Sequence, residues 1–197
     1  MPTPSRTSLE AIVAAAVELV EAHGPAGLTM QAVAARVGVR APSLYKHVEG
    51  RDHLVRLVAE DAAVDLIARV DDAAPEGMPA RDALRRLAVA LRRFAHERPE
   101  AFRLIFAPGP EPTRASPATL RRASETLLRL AGELAGPEHA LAAARTVTAW
   151  ASGFLAMELA DAFRLGGEVD EAFDYGIEHL VDALAVAPPT TSPGAPA

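Results

Sequence analysis

The chain has 197 residues, half of them hydrophobic and 23% charged, with a net charge of −6 and no cysteine. This composition fits a soluble globular protein with one sizeable core or two small ones, and it excludes disulfides, thiolate zinc sites and cysteine nucleophiles. The acidity argues against broad, non-specific binding to nucleic acid. No apolar run approaches the roughly 20 residues of a membrane span. MPTPSRTS at the N-terminus lacks the apolar stretch of a signal peptide, so the expected location is cytoplasmic.

Valine and isoleucine do not alternate with polar residues, which argues against strands. Residues 9 to 23 place Leu9, Ile12, Val13, Ala16, Val17 and Val20 at helical spacing, with Ser8 as N-cap and Gly24-Pro25 as the stop. Thr29 caps a short second helix that buries Val33, Ala34 and Val37, and Gly38 ends it where a left-handed residue is wanted. A third helix runs from about Ala41 to Val48, with Leu44 and Val48 facing inward, and Gly50 breaks it. From Arg51 to about Ala74 a long amphipathic helix carries Leu54, Leu57, Val58, Val64, Ile67 and Val70 on one side.

After the turn APEGMP, residues 80 to 98 form a helix carrying Leu84, Leu87, Ala88, Leu91 and Phe94. Pro99 interrupts it and EAFRLIFA continues as a short helix. PGPEPTRAS, residues 108 to 116, is a loop, and Ser116-Pro117 starts a helix that runs to Gly136. Two more helices, about 138 to 165 and 169 to 186, are separated by Gly166-Gly167. The tail APPTTSPGAPA has nothing to bury and is expected to be disordered. The expected architecture is therefore all-α, with about nine helices and no strands. Residues 1 to 55 form a three-helix domain, 56 to 187 a larger helical domain, and 188 to 197 the tail.

Three helices within about 50 residues, the second and third joined by a tight glycine turn, form a helix-turn-helix unit. Ala34 is small enough for the two helices to cross closely, and Gly38 makes the turn without a Cβ clash. With Leu44 and Val48 inside, residues 40, 43, 46 and 47 are directed outward or to the flanks. These are Arg, Ser, Lys and His, types that bond phosphates and base edges. The charge pattern agrees. Residues 1 to 55 balance Arg6, Arg36, Arg40, Lys46 and Arg51 against Glu10, Glu18, Glu21, Glu49 and Asp52, so the whole −6 lies beyond residue 55.

LTMQAVAARVGVRAPSLYKHVEGRDHLV resembles the DNA-binding signature of tetracycline-repressor-like (TetR) regulators. The resemblance rests on the threonine opening helix two, the Ala-x-x-x-Gly-Val turn, the Leu-Tyr-x-His centre of helix three and the charged start of helix four. With helix one it covers residues 9 to 58. It implies a homodimer that binds a double-stranded DNA operator and, through a variable helical domain, a small-molecule effector. TAWASGFLAMELADAF is similar to one subgroup, in which a Trp followed closely by a Gly marks the penultimate helix; here these are Trp150 and Gly153. The chain departs from the pattern at Val48, where an aromatic is usual, at Arg51 for lysine, and at Arg40 for a Ser or Thr cap.

The DNA-binding candidates are Thr29, Arg40, Ser43, Tyr45, Lys46, His47 and Arg51. Ser43 and Lys46 lie one turn apart and are the candidates for direct readout. Tyr45 and His47 resemble phosphate contacts, although Tyr45 also suits packing between helices. Thr29 is a helix cap whether or not it touches phosphate. Arg51 either meets phosphate or pairs with Glu49. Arg6 is a candidate for the minor groove.

The six histidines include no i, i+4 pair, and Glu-x-x-His is absent, so a metal site is not expected. Hydrolase elbows and phosphate loops are absent too, and neither an enzyme nor a cofactor is expected. Phe102, Phe106, Trp150 and Phe154 are candidate walls of an effector cavity. Arg103, Thr126, Thr146, Ser152 and Glu158 are candidate polar groups on inward faces. The last two helices are expected to make the dimer. The first of them contributes Ala142, Ala143, Ala149, Ala156 and Ala160, and the second Phe173, Ile177, Leu180, Val181 and Leu184. Repression relieved by an apolar or aromatic ligand is the leading functional reading. An activator on the same fold, or a helical ligand-binding or scaffold protein with a vestigial helix-turn-helix, remain alternatives.

Overall fold

The computed structural model describes residues 8–185. The Arg6 arm and the tail from residue 188 lie outside the described residues. Among those described, the chain forms nine α-helices, one short 3-10 turn and no strand. The helices are α1 Leu9–Gly27, α2 Met30–Val37, α3 Ala41–Leu44, α4 Arg51–Ala73, α5 Ala80–Glu97, α6 Pro99–Phe106, α7 Pro117–Ala135, α8 Ala140–Leu159 and α9 Val169–Leu184, with the turn at Glu111–Thr113. The helices gather into two compact units. Among the described residues, one holds those up to Asp72 with Val89–Ser124, the other Ala73–Ala88 with those from Glu125 onward.

In the first unit, one apolar cluster joins α1 to α4. Ile12, Ala16, Val20, Leu28, Val33, Leu44, Val48, Leu54 and Val58 are all buried in it. Each large aliphatic side chain removed from water in this way contributes about 1.5–3 kcal/mol. Ser8 caps α1 by accepting from the Ala11 N–H at 3.1 Å. The expected stop at Gly24-Pro25 is a bend. Gly24 takes φ +68°, and the helix resumes for one more turn to Gly27, because proline's fixed φ and missing N–H suit the first turn of a new segment.

The buried face of α4 is Leu54, Val55, Val58, Ala59, Ala62, Ala63, Leu66 and Val70. Val64, expected on that face, is 59% exposed. Three of these eight residues are alanine, so the larger branched residues mark the direction of the stripe poorly. Ala59 and Ala63 receive Ala115 from the loop before α7. The backbone N–H of Ser116 donates to Glu60 Oε1 at 2.5 Å, so that loop is anchored along α4. Ser116 also caps α7, accepting from the Thr119 N–H at 3.2 Å.

A polar junction joins α1, α4, α6 and the end of α5. The Glu21 carboxylate accepts from the backbone N–H groups of Glu100 and Ala101, at 3.2 and 3.1 Å. Arg98 donates to Asp65 at 2.8 Å and to Asp61 at 2.9 Å. Arg69 donates to Asp65 at 2.8 Å and to Glu97 at 2.6 Å. Burial alone would raise the Asp65 carboxyl, but the hydrogen bonds and charges of Arg69 and Arg98 outweigh it and hold that group below its ordinary value. Burial opposes the charge on Arg98 too, and the bonds from Asp65 and Asp61 more than offset it, so its guanidinium holds its proton more firmly than usual. The bond from Asp65 acts the same way on Arg69.

In the second unit, Trp150 of α8 and Phe173 of α9 stand 5.3 Å apart between ring centres, and Phe154 joins both. Helix α8 ends at Leu159 and not near residue 165. Asp161 takes a left-handed φ of +50°, and the N–H groups of Asp161 and Ala162 close on Glu158 and Met157. Phe173, Ile177 and Val181 of α9 are buried within the chain itself. They are core and not, as expected, a face offered to a second subunit. The side of α9 left open carries Ala172, Tyr175, His179 and Ala183 instead. On α8, Ala143 is buried, whereas Ala142, Thr146, Ala149, Gly153, Ala156 and Ala160 form an exposed stripe of small residues.

Candidate nucleic-acid interface

Helices α2 and α3 are set by a glycine turn. Thr29 Oγ1 accepts from the Ala32 N–H at 3.1 Å and caps α2. Gly38 closes α2 at φ +73°, ψ +32°. The N–H of Gly38 bonds Ala35 O at 3.2 Å and that of Val39 bonds Ala34 O at 2.9 Å, a Schellman arrangement. No neighbour lies within 4 Å of the position a Cβ would take at Gly38, so the demand for glycine here is purely conformational.

Helix α3 is shorter than expected. Only Ala41–Leu44 is α-helical, and Tyr45 to His47 form a turn. Leu44 holds this turn. Its side chain is fully buried, and its carbonyl accepts from the N–H groups of His47 and Val48 at 2.9 and 3.0 Å. Val48 is buried next to it, so a valine fills the place expected to want an aromatic.

The outward side of this rod carries the chemistry. Arg40, Tyr45, Lys46 and His47 are exposed, Ser43 is half-buried, and Thr29 is exposed at the start of α2. Tyr45, at 57% exposure, is surface and not packing between helices. Among the described residues, the side chains of Arg40, Tyr45, Lys46 and His47 engage no ion pair or hydrogen bond, so their donors are free to meet an anion.

Arg51 differs from these. Its Nε donates to Leu28 O at 3.0 Å, and another guanidinium nitrogen donates to Pro25 O. Its acidic neighbour is Asp52, at 3.5 Å, and not Glu49 as the sequence suggested. Arg51 therefore ties the start of α4 to the end of α1, with part of its guanidinium still at the surface. The N–H of Glu49 donates to His53 Nδ1 at 3.1 Å. Glu49, Gly50, Arg51, Asp52, His53, Arg56 and Pro112 line a surface groove of about 410 Å³ beside this start of α4, its cations interleaved with two carboxylates. Arg56, one turn into α4, is not among the candidates read from the sequence.

The four aromatic candidates for an effector wall fall into two pairs, one in each unit. Phe102 and Phe106 of α6 are 4.8 Å apart in the first unit, and Trp150 and Phe154 of α8 are 5.8 Å apart in the second. The glycine against Trp150 is Gly176 of α9, not Gly153. A Cβ at Gly176 would stand 2.4 Å from Trp150 Cζ2, whereas Gly153 faces open space. Arg103 is exposed and pairs with Glu100, and Thr146 is exposed with its hydroxyl on Ala142 O; neither faces inward. Among the described residues, no three His, Asp or Glu side chains gather as a metal ion would require, and no helix is long and apolar enough to cross a membrane.

Two helices joined by a left-handed glycine, the second showing unpaired cationic and hydroxyl groups to solvent, define a helix-turn-helix DNA-binding protein. The comparisons make the class narrower. Residues 12–58 match the model of bacterial regulatory proteins of the tetR family, and residues 84–180 match that of the tetracyclin repressor-like C-terminal domain. The chain belongs to the TetR family of transcriptional regulators.

An uncharacterized HTH-type transcriptional regulator of Mycobacterium tuberculosis is 33% identical over 96 residues, 49% of this chain and 44% of that protein. The chain thus aligns with less than half the length of this curated relative. The HTH-type transcriptional repressor DrrR1 of Streptomyces coeruleorubidus is 41% identical over 59 residues, 30% of this chain and 22% of that protein. Among solved structures, a TetR variant from Acinetobacter baumannii AYE in complex with minocycline is similar, with TM-score 0.67, 26% identity, and coverage of 90% of this chain and 96% of that one.

Proposed function

We propose that the chain is a homodimeric repressor that leaves a palindromic operator when a small apolar or aromatic ligand binds its larger helical part. The observation that carries the DNA half of this reading is the set of unpaired, outward donors at Arg40, Ser43, Tyr45, Lys46 and His47, held by Leu44 and Val48. Thr29 and Arg51 flank the set and join it as phosphate contacts. Lys46, with Ser43 one turn back, reads base edges, and Tyr45 and His47 meet the backbone. In this reading residues 1 to 55 bind DNA, and residues 56 to 187 dimerise and bind the effector.

One recognition rod is too small for selective binding, and two must reach successive major grooves about 34 Å apart. The exposed small-residue stripe of α8 and the open side of α9 suit a four-helix interface between two copies, because small side chains let helices approach closely. Either aromatic pair, Phe102 with Phe106 or Trp150 with Phe154, suits an apolar or aromatic effector. That effector favours a conformer in which α4 swings and the spacing of the two rods changes, with a coupling of about 1–3 kcal/mol.

The test is selection of DNA from a random pool followed by mobility shift. A palindrome with half-sites one helical turn apart is expected. Changing Lys46 and Tyr45 to alanine is expected to weaken binding and lower its salt dependence. Loss of neither would point to a protein whose helix-turn-helix is vestigial. Reporter assays on the selected operator separate repression from activation.

A further inference from the structure

We propose that Glu21 is a coupling residue: its carboxylate fastens helix α1 to the first turn of α6, so that a displacement of α6 reaches the recognition helix through α1 as well as through α4. This rests on the reading of the chain as a ligand-responsive DNA-binding regulator, and it names the route of that response.

Helix α6 begins with Pro99 and has no side-chain cap of its own. Its first N–H groups need an acceptor, and that acceptor comes from 79 and 80 residues earlier in the chain. Glu21 Oε2 takes the N–H of Glu100 at 3.2 Å and Oε1 that of Ala101 at 3.1 Å. The same Oε1 lies 3.6 Å from Arg98 Nε, and the Glu21 side chain is only 23% exposed. A carboxylate at a helix N-terminus gains from both the hydrogen bonds and the helix dipole. The attachment is therefore strong and directional.

What lies on either side of this attachment gives it a function. On the α6 side, the residue after Ala101 is Phe102, buried and in tilted ring contact with Phe106, the pair suited to an effector wall. On the α1 side, Glu21 stands one turn before the bend at Gly24. Just past that bend, the carbonyls of Pro25 and Leu28 are held by Arg51 at the head of α4. A continuous series of directional contacts thus runs from Phe102 through Glu21 and the bend to Arg51, beside the rod that faces DNA. Arg98 ties the same point to the middle of α4 through Asp61 and Asp65, so the two routes share one junction.

Coupling is reciprocal, so the test needs no knowledge of the effector. Hydrogen exchange is followed in peptides spanning residues 94–106, for wild type, Glu21→Ala and Glu21→Gln. Each is measured free and with saturating operator selected from the random pool. In wild type, operator is expected to change exchange in the first turn of α6 by about fivefold or more, the lower end of ordinary two-site coupling. In Glu21→Ala the ratio of free to bound exchange is expected to fall clearly below the wild-type value, leaving only the part carried by Arg98 and α4, although the variant still binds operator. Glu21→Gln keeps one acceptor but not the charge, and is expected to fall between them; it carries the test if the alanine variant does not fold. A merely structural cap would raise exchange in free and bound forms alike and leave the ratio unchanged, which overturns the proposal. Wild-type binding without any change in these peptides also overturns it. Failure of wild type to select any DNA overturns the DNA-binding reading first, and the coupling falls with it.

Discussion

Gly176 of α9 tests the packing of α8 against α9. A Cβ there would stand 2.4 Å from Cζ2 of Trp150, and 3.0 and 3.1 Å from Cε2 and Nε1. Carbon atoms in contact prefer about 3.5–4.0 Å, so in Gly176→Ala the indole or the helix must retreat by about 1 Å. Overpacking of this kind costs about 1–3 kcal/mol. Alanine in place of glycine within a helix returns about 0.5–1 kcal/mol. The expected net loss is about 1 kcal/mol and at most about 2.5 kcal/mol. Trp150 is the only tryptophan of the chain, so equilibrium denaturation followed by its fluorescence reports on the altered contact directly. A lower denaturant midpoint at unchanged slope, with a shifted native emission, is expected. A variant at least as stable as the parent, with the same emission, would refute the reasoning.

Gly153→Ala should behave oppositely within one protomer, because its Cβ meets nothing within 4 Å. A gain of about 0.5–1 kcal/mol is expected from helix propensity, together with weaker self-association by sedimentation if the α8 stripe packs against a second copy. Leu44→Ala empties a fully buried site under the recognition turn; a loss of about 2–5 kcal/mol in thermal or chemical unfolding is expected, with loss of operator binding. Asp65 has a folded-state carboxyl held below its ordinary value of 3.8. The stability it contributes is present above that value and is lost as pH falls through the lower, folded one. Asp65→Asn is expected to flatten the fall in stability below about pH 4, and a variant with the parent's full acid dependence would remove Asp65 from that account.

Local signals carried much of this architecture. Ser8, Thr29, Gly38 and the Ser116-Pro117 pair mark helix ends by the hydrogen bonds they make with near neighbours, and those bonds form as the residue types imply. The signals weakened where a side chain's role is decided by distant partners. Phe173, Ile177 and Val181 have the spacing of an interface stripe, but spacing cannot distinguish the core of one chain from the seam between two. Tyr45 to His47 have helical spacing as well, yet they form a turn. The roles of Glu21 and Glu60 leave no local signal, since the N–H groups they accept lie 79, 80 and 56 residues away. Nothing in the sequence marks Arg51 as the tie between α1 and α4, because backbone carbonyls leave no mark in a pattern of side chains.

The turn after α3 separates two sets of residues that share no member: Leu44 and Val48 hold it, and Arg40, Ser43, Lys46 and His47 face away from it. A lineage can therefore exchange the second set codon by codon without eroding the first. Descendants of such a chain can change what the outer side of this turn presents while inheriting its scaffold intact.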